Sequence, residues 1–158
     1  MDAIKGLDVN LKIIGLGSLI HKLKDKILKD QIKNVIFLGF LSQDDLHREL
    51  SDSMFTICPS ICQESFSYSI AESFCLGKPV IASNIGAFKE LIIHNKTGLL
   101  FEPGNVENLR NEIKLLLRNP RLCIKMGKHA REYVENMFDQ ENFYLSLIDV
   151  YNRIKGFP

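Results

Sequence analysis

The feature that most constrains this chain is an alternation. Short, nearly continuous runs of branched apolar residues are separated by longer stretches whose apolar residues recur at helical spacing. The runs are Leu11 to Gly15, Val35 to Gly39, Phe55 to Cys58, Val80 to Ala82 and Leu99 to Phe101. A strand with one face in water shows polar residues at every second position, and a strand covered on both faces does not. The five runs therefore read as buried strands of a mainly parallel sheet. Parallel neighbours need a crossover, and helices fit the gaps. Leu19, Leu23 and Ile27 share one helical face, Leu46 and Leu50 follow a Ser42 cap with Asp45 three residues on, and Gly77 closes a helix ending at Leu76. The expectation is an α/β, Rossmann-like open parallel sheet with flanking helices.

Beyond the fifth run the pattern is helical. Asn105 caps a helix with a stripe of Val106, Leu109, Ile113, Leu116 and Leu117. A second helix starts at Asn119 and Pro120 and carries Leu122, Met126, Ala130, Tyr133, Val134 and Met137. A third, capped near Asp139, carries Phe143, Leu147, Val150, Tyr151 and Ile154. No repeat or linker divides the 158 residues, which suits one domain with its own core.

A formal charge of +1 gives no general attraction to nucleic acid or to an anionic membrane. No run approaches the roughly 18 apolar residues of a membrane span, and the first residues lack a signal-peptide pattern. The reading is a cytoplasmic protein, peripheral at a membrane only through a partner. Cys58, Cys62, Cys75 and Cys123 form no CxxC pair and no zinc-spaced cluster, so neither metal nor disulfide is expected. Cys58 and Cys75, inside apolar stretches, are expected to be small buried hydrophobes. His21, His47, His94 and His129 are scattered, and His94 to Gly98 reads as a turn. The GLGS turn at Gly15 to Ser18 lacks the third glycine and the acidic residue of a dinucleotide fingerprint.

The chemistry concentrates in Pro59 to Ser83, where a strand ends, a polar loop follows and a short helix leads to the next strand. In open α/β sheets ligands bind beyond the carboxyl ends of strands. Ser65, Ser67 and Ser69 surround the helix start, whose unpaired N–H groups suit a phosphate. Glu64 precedes the helix and Glu72 lies within it. A carboxylate accepts two hydrogen bonds from vicinal hydroxyls, so the pair suits a sugar and its nucleotide, although spacing alone favours two solvated surface charges.

The residues Pro59, Ser60, Glu64, Phe66, Glu72, Gly77, Pro79, Val80, Gly86 and Glu90 resemble the Glu-x7-Glu region of family-4-like retaining glycosyltransferases of GT-B fold. LKIIGLGS, VIFLGFLSQDDL and TGLLFEPGNVENL resemble that family's second, third and sixth strand regions, so the likeness spans nearly the whole chain. It implies a C-terminal, donor-binding domain for a nucleotide diphosphate sugar, working without a metal and with retention. On this resemblance Glu72 binds ribose hydroxyls, while Glu64 contacts the hexose and assists electrostatically. Ser65 flanks the helix start, Phe66, Ser67 and Tyr68 present backbone N–H groups, and Gly15 and Gly17 let the donor approach. Four positions depart from the pattern: Ser67 replaces a usual glycine, Ser73 a common alanine, and Ala87-Phe88 a smaller pair.

The resemblance also implies absences. The acceptor-binding domain has no counterpart, nor does the domain's own first strand with the basic pair that clamps the diphosphate. Met1 to Leu7 reads as the end of that domain's first helix. The missing strand belongs at the centre of a 3-2-1-4-5-6 order, so its neighbours are expected to lack a partner. The expected function is hexosyl transfer to a glycan or lipid-linked acceptor, completed by a complementary acceptor-domain polypeptide or by self-association. The alternatives are a non-catalytic fragment or binding module that keeps the fold, and a nucleotide-sugar epimerase-like protein.

Overall fold

All five apolar runs form strands: β1 Leu11–Ile14, β2 Val35–Gly39, β3 Thr56–Cys58, β4 Val80–Ser83 and β5 Gly98–Phe101. Between and after them lie α1 Ile20–Lys29, α2 Gln43–Asp52, α3 Tyr68–Cys75, α4 Phe88–Leu91, α5 Val106–Arg118, α6 Pro120–Met137 and α7 Gln140–Lys155. This computed structural model describes residues 1–155; the last three residues of the expected domain lie outside the described residues. The helix starts follow the side chains that satisfy their free N–H groups. Ser42 accepts from the Asp45 N–H at 3.2 Å, Asn105 from Asn108 at 3.0 Å, and Asp139 from Asn142 at 2.8 Å.

The strands do not make one open sheet. β1 pairs with β2, and β3, β4 and β5 form a second sheet in that order, all in parallel. The division falls between β1 and β3, where the resemblance puts the family's first strand. Among the described residues each of these two strands keeps one edge unpaired.

β4 is the buried centre. Its side chains alternate across the sheet, so Ile81 joins one core and Val80 and Ala82 the other. The first core packs Ile81, Leu99 and Phe101 against Ile113, Leu116 and Met126, with Ala3, Ile4 and Ile32 at its margin. The second packs Val80 and Ala82 against Ile70, Phe74, Phe88, Ala130 and Val134. Here α3 and α6 approach through two glycines: Gly77, at φ +65°, ends α3, and Gly127 within α6 lies against its carbonyl.

Asp2–Ile4 is a single 3-10 turn that closes where the backbone turns left-handed at Gly6, with φ +73°, as helix ends do. Arg110 fastens the segment by donating to the Ala3 and Lys5 carbonyls at 3.0 and 2.7 Å. Lys26 bonds Asp30 and Asp2 at 2.7 and 2.9 Å, which pushes its ammonium up to about 12 and holds the Asp30 carboxyl below its usual range. Two expectations need correction. β1 and β2, read as buried on both faces, hold no buried residue, because Ile14 and Ile36 face outward and α1 and α2 bury no side chain. Cys75 is exposed, since one helical step beyond Phe74 leads out of the core. α7 forms as expected, and its stripe of Phe143, Leu147, Val150, Tyr151 and Ile154 faces outward. Among the described residues no helix is long and apolar enough to cross a membrane.

Candidate functional site

β3 ends at Cys58, and the chain crosses the carboxyl end of the second sheet before α3 begins. Ser67 is the residue that starts α3, at φ −122° and ψ 103°, and its carbonyl accepts from the Ala71 N–H at 3.2 Å. That extended φ suits any residue, so the serine in place of the family's glycine causes no backbone strain. Its hydroxyl does not cap the helix; it lies buried, 3.1 Å from the Ser69 hydroxyl. The first N–H groups of α3 therefore remain without a side-chain cap.

Beside this helix start opens a cavity of about 850 Å³. Cys58, Ser60, Glu64, Ser69 and Glu72 line one end, so the two glutamates share one concave surface. Glu64 is exposed and Glu72 half-buried. The lining also carries Glu49 and Asp52, and Lys12 is its one cation, already paired with Glu49. Among the lining residues no free lysine or arginine is left to meet an anion.

The other candidates lie outside the lining. Gly15 ends β1 at φ +112°, with its N–H donated to the Gly39 carbonyl at 2.7 Å, and neither it nor Gly17 has an atom near where a Cβ would stand. Phe66 packs edge-on against Tyr68 and Phe138, with ring centroids 5.3 and 6.0 Å apart. Ser65 and Tyr68 are exposed. Their side chains do not converge with the glutamates; what Phe66, Ser67 and Tyr68 offer is backbone. His94 accepts the Leu100 N–H on Nδ1 at 3.0 Å, and Asn95 stands at φ +63°, which fits the turn.

Two supports of the site went unread. Ala87 donates its N–H to the Glu64 carbonyl at 3.2 Å, and a Cβ on Gly86 would lie 3.2 Å from both the Glu64 nitrogen and oxygen. The turn after β4 thus holds the loop that carries Glu64, and Gly86, at φ +51°, permits the close approach. Gly86 stood out only as part of a motif. Second, Thr56 donates to the Ser73 hydroxyl at 2.9 Å, and Ser73 to the Ser69 carbonyl at 2.6 Å. The serine that departs from the family's alanine is thereby satisfied, and it ties α3 to β3. Cys58 lies 3.7 Å from the Ser69 hydroxyl, and burial pushes its thiol up.

Residues 1–133 match the family described as glycosyl transferases group 1. An uncharacterized glycosyltransferase of Methanocaldococcus jannaschii is 30% identical over 154 residues, covering 98% of this chain and 43% of the relative. A glycosyltransferase from Rickettsia africae superimposes with a TM-score of 0.83 at 27% identity, over 99% of this chain and 44% of that one. Anabaena HepE, crystallised in complex with UDP, superimposes at 0.84 with 23% identity, over 96% and 43%. The chain thus spans about two fifths of the length of these proteins, and its fold is that of the C-terminal half of a GT-B glycosyltransferase.

Proposed function

The chain belongs to the glycosyl transferases group 1 family, and from that membership we propose that it is a donor-binding domain. In this reading it holds a nucleotide diphosphate sugar and, with an acceptor-binding domain supplied elsewhere, transfers the hexose with retention to a glycan or lipid-linked acceptor. The observation that carries it is the meeting of Glu64 and Glu72 on one cavity beside the uncapped start of α3. Glu72, half-buried on the helix, accepts both hydroxyls of a ribose. The diphosphate takes the N–H groups and positive dipole end of α3, from Phe66 to Tyr68 onward. Glu64, held by Ala87, faces the hexose and stabilises positive charge developing at its anomeric carbon. Gly15 and Gly17 leave room for the donor, and no metal is required. The site works in the cytoplasm, and any attachment to a membrane comes through the partner.

Thermal-shift titration of the chain with nucleotide diphosphates and their sugars tests this, since a ligand that binds only the folded state raises the melting temperature. A uridine diphosphate sugar is tried first, because Anabaena HepE is seen with UDP. The reading expects a selective rise that Glu72→Ala abolishes, while Glu64→Gln keeps binding and loses transfer once an acceptor domain is added. No shift with any donor supports the non-catalytic binding module. Conversion of the nucleotide sugar without an acceptor supports an epimerase-like protein.

A further inference from the structure

Between Glu64 and α3 the loop has few supports of its own. The Glu64 carbonyl accepts from Ala87 and the Ser67 carbonyl from Ala71, but among the described residues neither Ser65 nor Phe66 makes a backbone–backbone hydrogen bond. A segment without such bonds keeps one shape only where its side chains are held. Ser65 is exposed, so the holding falls to the Phe66 ring. That ring borders the second core and meets two others edge-on, those of Tyr68 and Phe138. Tyr68 is 78% exposed and belongs to the same segment, so it moves with the loop. Phe138 comes from another element, as the residue that ends α6.

The backbone of Phe138 is fixed to the domain, since its N–H donates to the Val134 carbonyl at 3.0 Å and Val134 is buried in the second core. Its ring stands at 83° to that of Phe66, the edge-to-face arrangement that aromatic pairs favour. Yet Phe138 is 52% exposed, so the core gains little from it. What the ring touches beyond its own helix end is the loop. We propose that Phe138 is a positioning residue of the site. It holds the Phe66 ring, and thereby keeps the backbone from Ser65 to Tyr68 in the conformation that turns N–H groups toward the diphosphate. That this serves a donor rests on the reading given above; the ordering of the loop does not.

The test uses the full chain, first without ligand, and reads the backbone order parameters of Ser65 to Tyr68 by nitrogen-15 relaxation. In the unaltered chain they lie near the rigid value of about 0.85, and in Phe138→Ala they fall below about 0.6. Phe138→Tyr, which keeps the ring, restores them. Met126→Ala, which empties a buried position of α6 in the first core, lowers the melting temperature and leaves them unchanged. Should Phe138→Ala not fold, Phe138→Leu keeps the apolar bulk, removes the ring edge and is read in the same way. Calorimetric titration with uridine diphosphate and its glucose conjugate follows. Phe138→Ala binds at least about fivefold more weakly than the unaltered chain, Phe138→Tyr and Met126→Ala bind as it does. A loop already disordered in the unaltered chain overturns the proposal, as does a loop still ordered in Phe138→Ala, or in Phe138→Leu where that variant replaces it. A disordered loop that binds as tightly as before overturns it equally. If the unaltered chain binds no nucleotide diphosphate, the donor reading falls, and the order parameters alone decide whether Phe138 positions the loop.

Discussion

Replacing Gly127 with alanine sets two effects of opposite sign against each other. In a free helix the change stabilises by about 1 kcal/mol, because glycine loses more backbone entropy on folding. Within α6 the new methyl would stand 2.0 Å from the Gly77 oxygen and 3.0 Å from its carbonyl carbon. Ordinary contacts between such atoms begin near 3.5 Å, so the two backbones must part by about 1.5 Å. No rotamer relieves the clash, since both partners are main chain. Parting them also loosens the core at Phe74, Ala130 and Val134, and overpacking of this kind costs about 1–3 kcal/mol or somewhat more. At the upper end of that range the clash prevails, leaving a net loss of about 2–3 kcal/mol, or about 4–12 °C in melting temperature for a domain of this size. Circular dichroism melting of the two proteins side by side decides it. An unchanged or higher melting temperature for Gly127→Ala would refute the reasoning, showing that helix propensity wins and that α3 and α6 are not in backbone contact here.

The other predictions concern the site and the N-terminal clamp. Gly86→Ala places a Cβ 3.2 Å from Glu64 at a φ of +51°, so it should cost about 1–2 kcal/mol of stability and weaken donor binding by calorimetry; unaltered binding would mean that Gly86 does not position Glu64. Ser73→Ala removes the acceptor of the Thr56 hydroxyl and should cost about 1 kcal/mol in denaturant melts, whereas adding Thr56→Val should cost less than the two changes separately. Strict additivity would show that the pair is not coupled. Lys26 holds the Asp30 carboxyl below its usual range, so that contribution is full above an ordinary carboxylate pKa of about 4 and fades as pH falls through the lower folded value. The stability deficit of Asp30→Asn should therefore be constant from pH 5 to 9 and shrink in strong acid; a deficit that persists at pH 2 would assign it to something other than charge.

Much of the architecture was readable because a short run of branched apolar residues, too brief for a helix and bounded by turn residues, has a distinctive composition. The five strands, the Ser42, Asn105 and Asp139 caps, and the turn at Gly77 all follow from local chemistry. What escaped was non-local or a matter of phase. An apolar stretch foretells that α3 is mostly buried, but only the helical angle sends Phe74 inward and Cys75 outward. The stripe on α7 foretells a helix and says nothing of what covers it. At the site, the two glutamates stood out because their chemistry is local to one loop and one helix. The grip of Gly86 and Ala87 on Glu64 crosses from one strand's end to the next, and the Thr56 to Ser73 bridge joins a strand to the following helix, so neither shows as a spacing.

The uneven burial of the four cysteines turns α3 and its loop into an instrument. Burial raises the thiols of Cys58 and Cys123, which slows their alkylation, because the thiolate is the nucleophile. Cys62 and Cys75 are exposed, one in the loop two residues before Glu64 and the other at the far end of the helix. A thiol-specific dye thus labels the unaltered chain close to the loop that carries Glu64 and, as an internal reference, away from it. The ratio of the two labelling rates follows occupancy of the cavity without a single substitution.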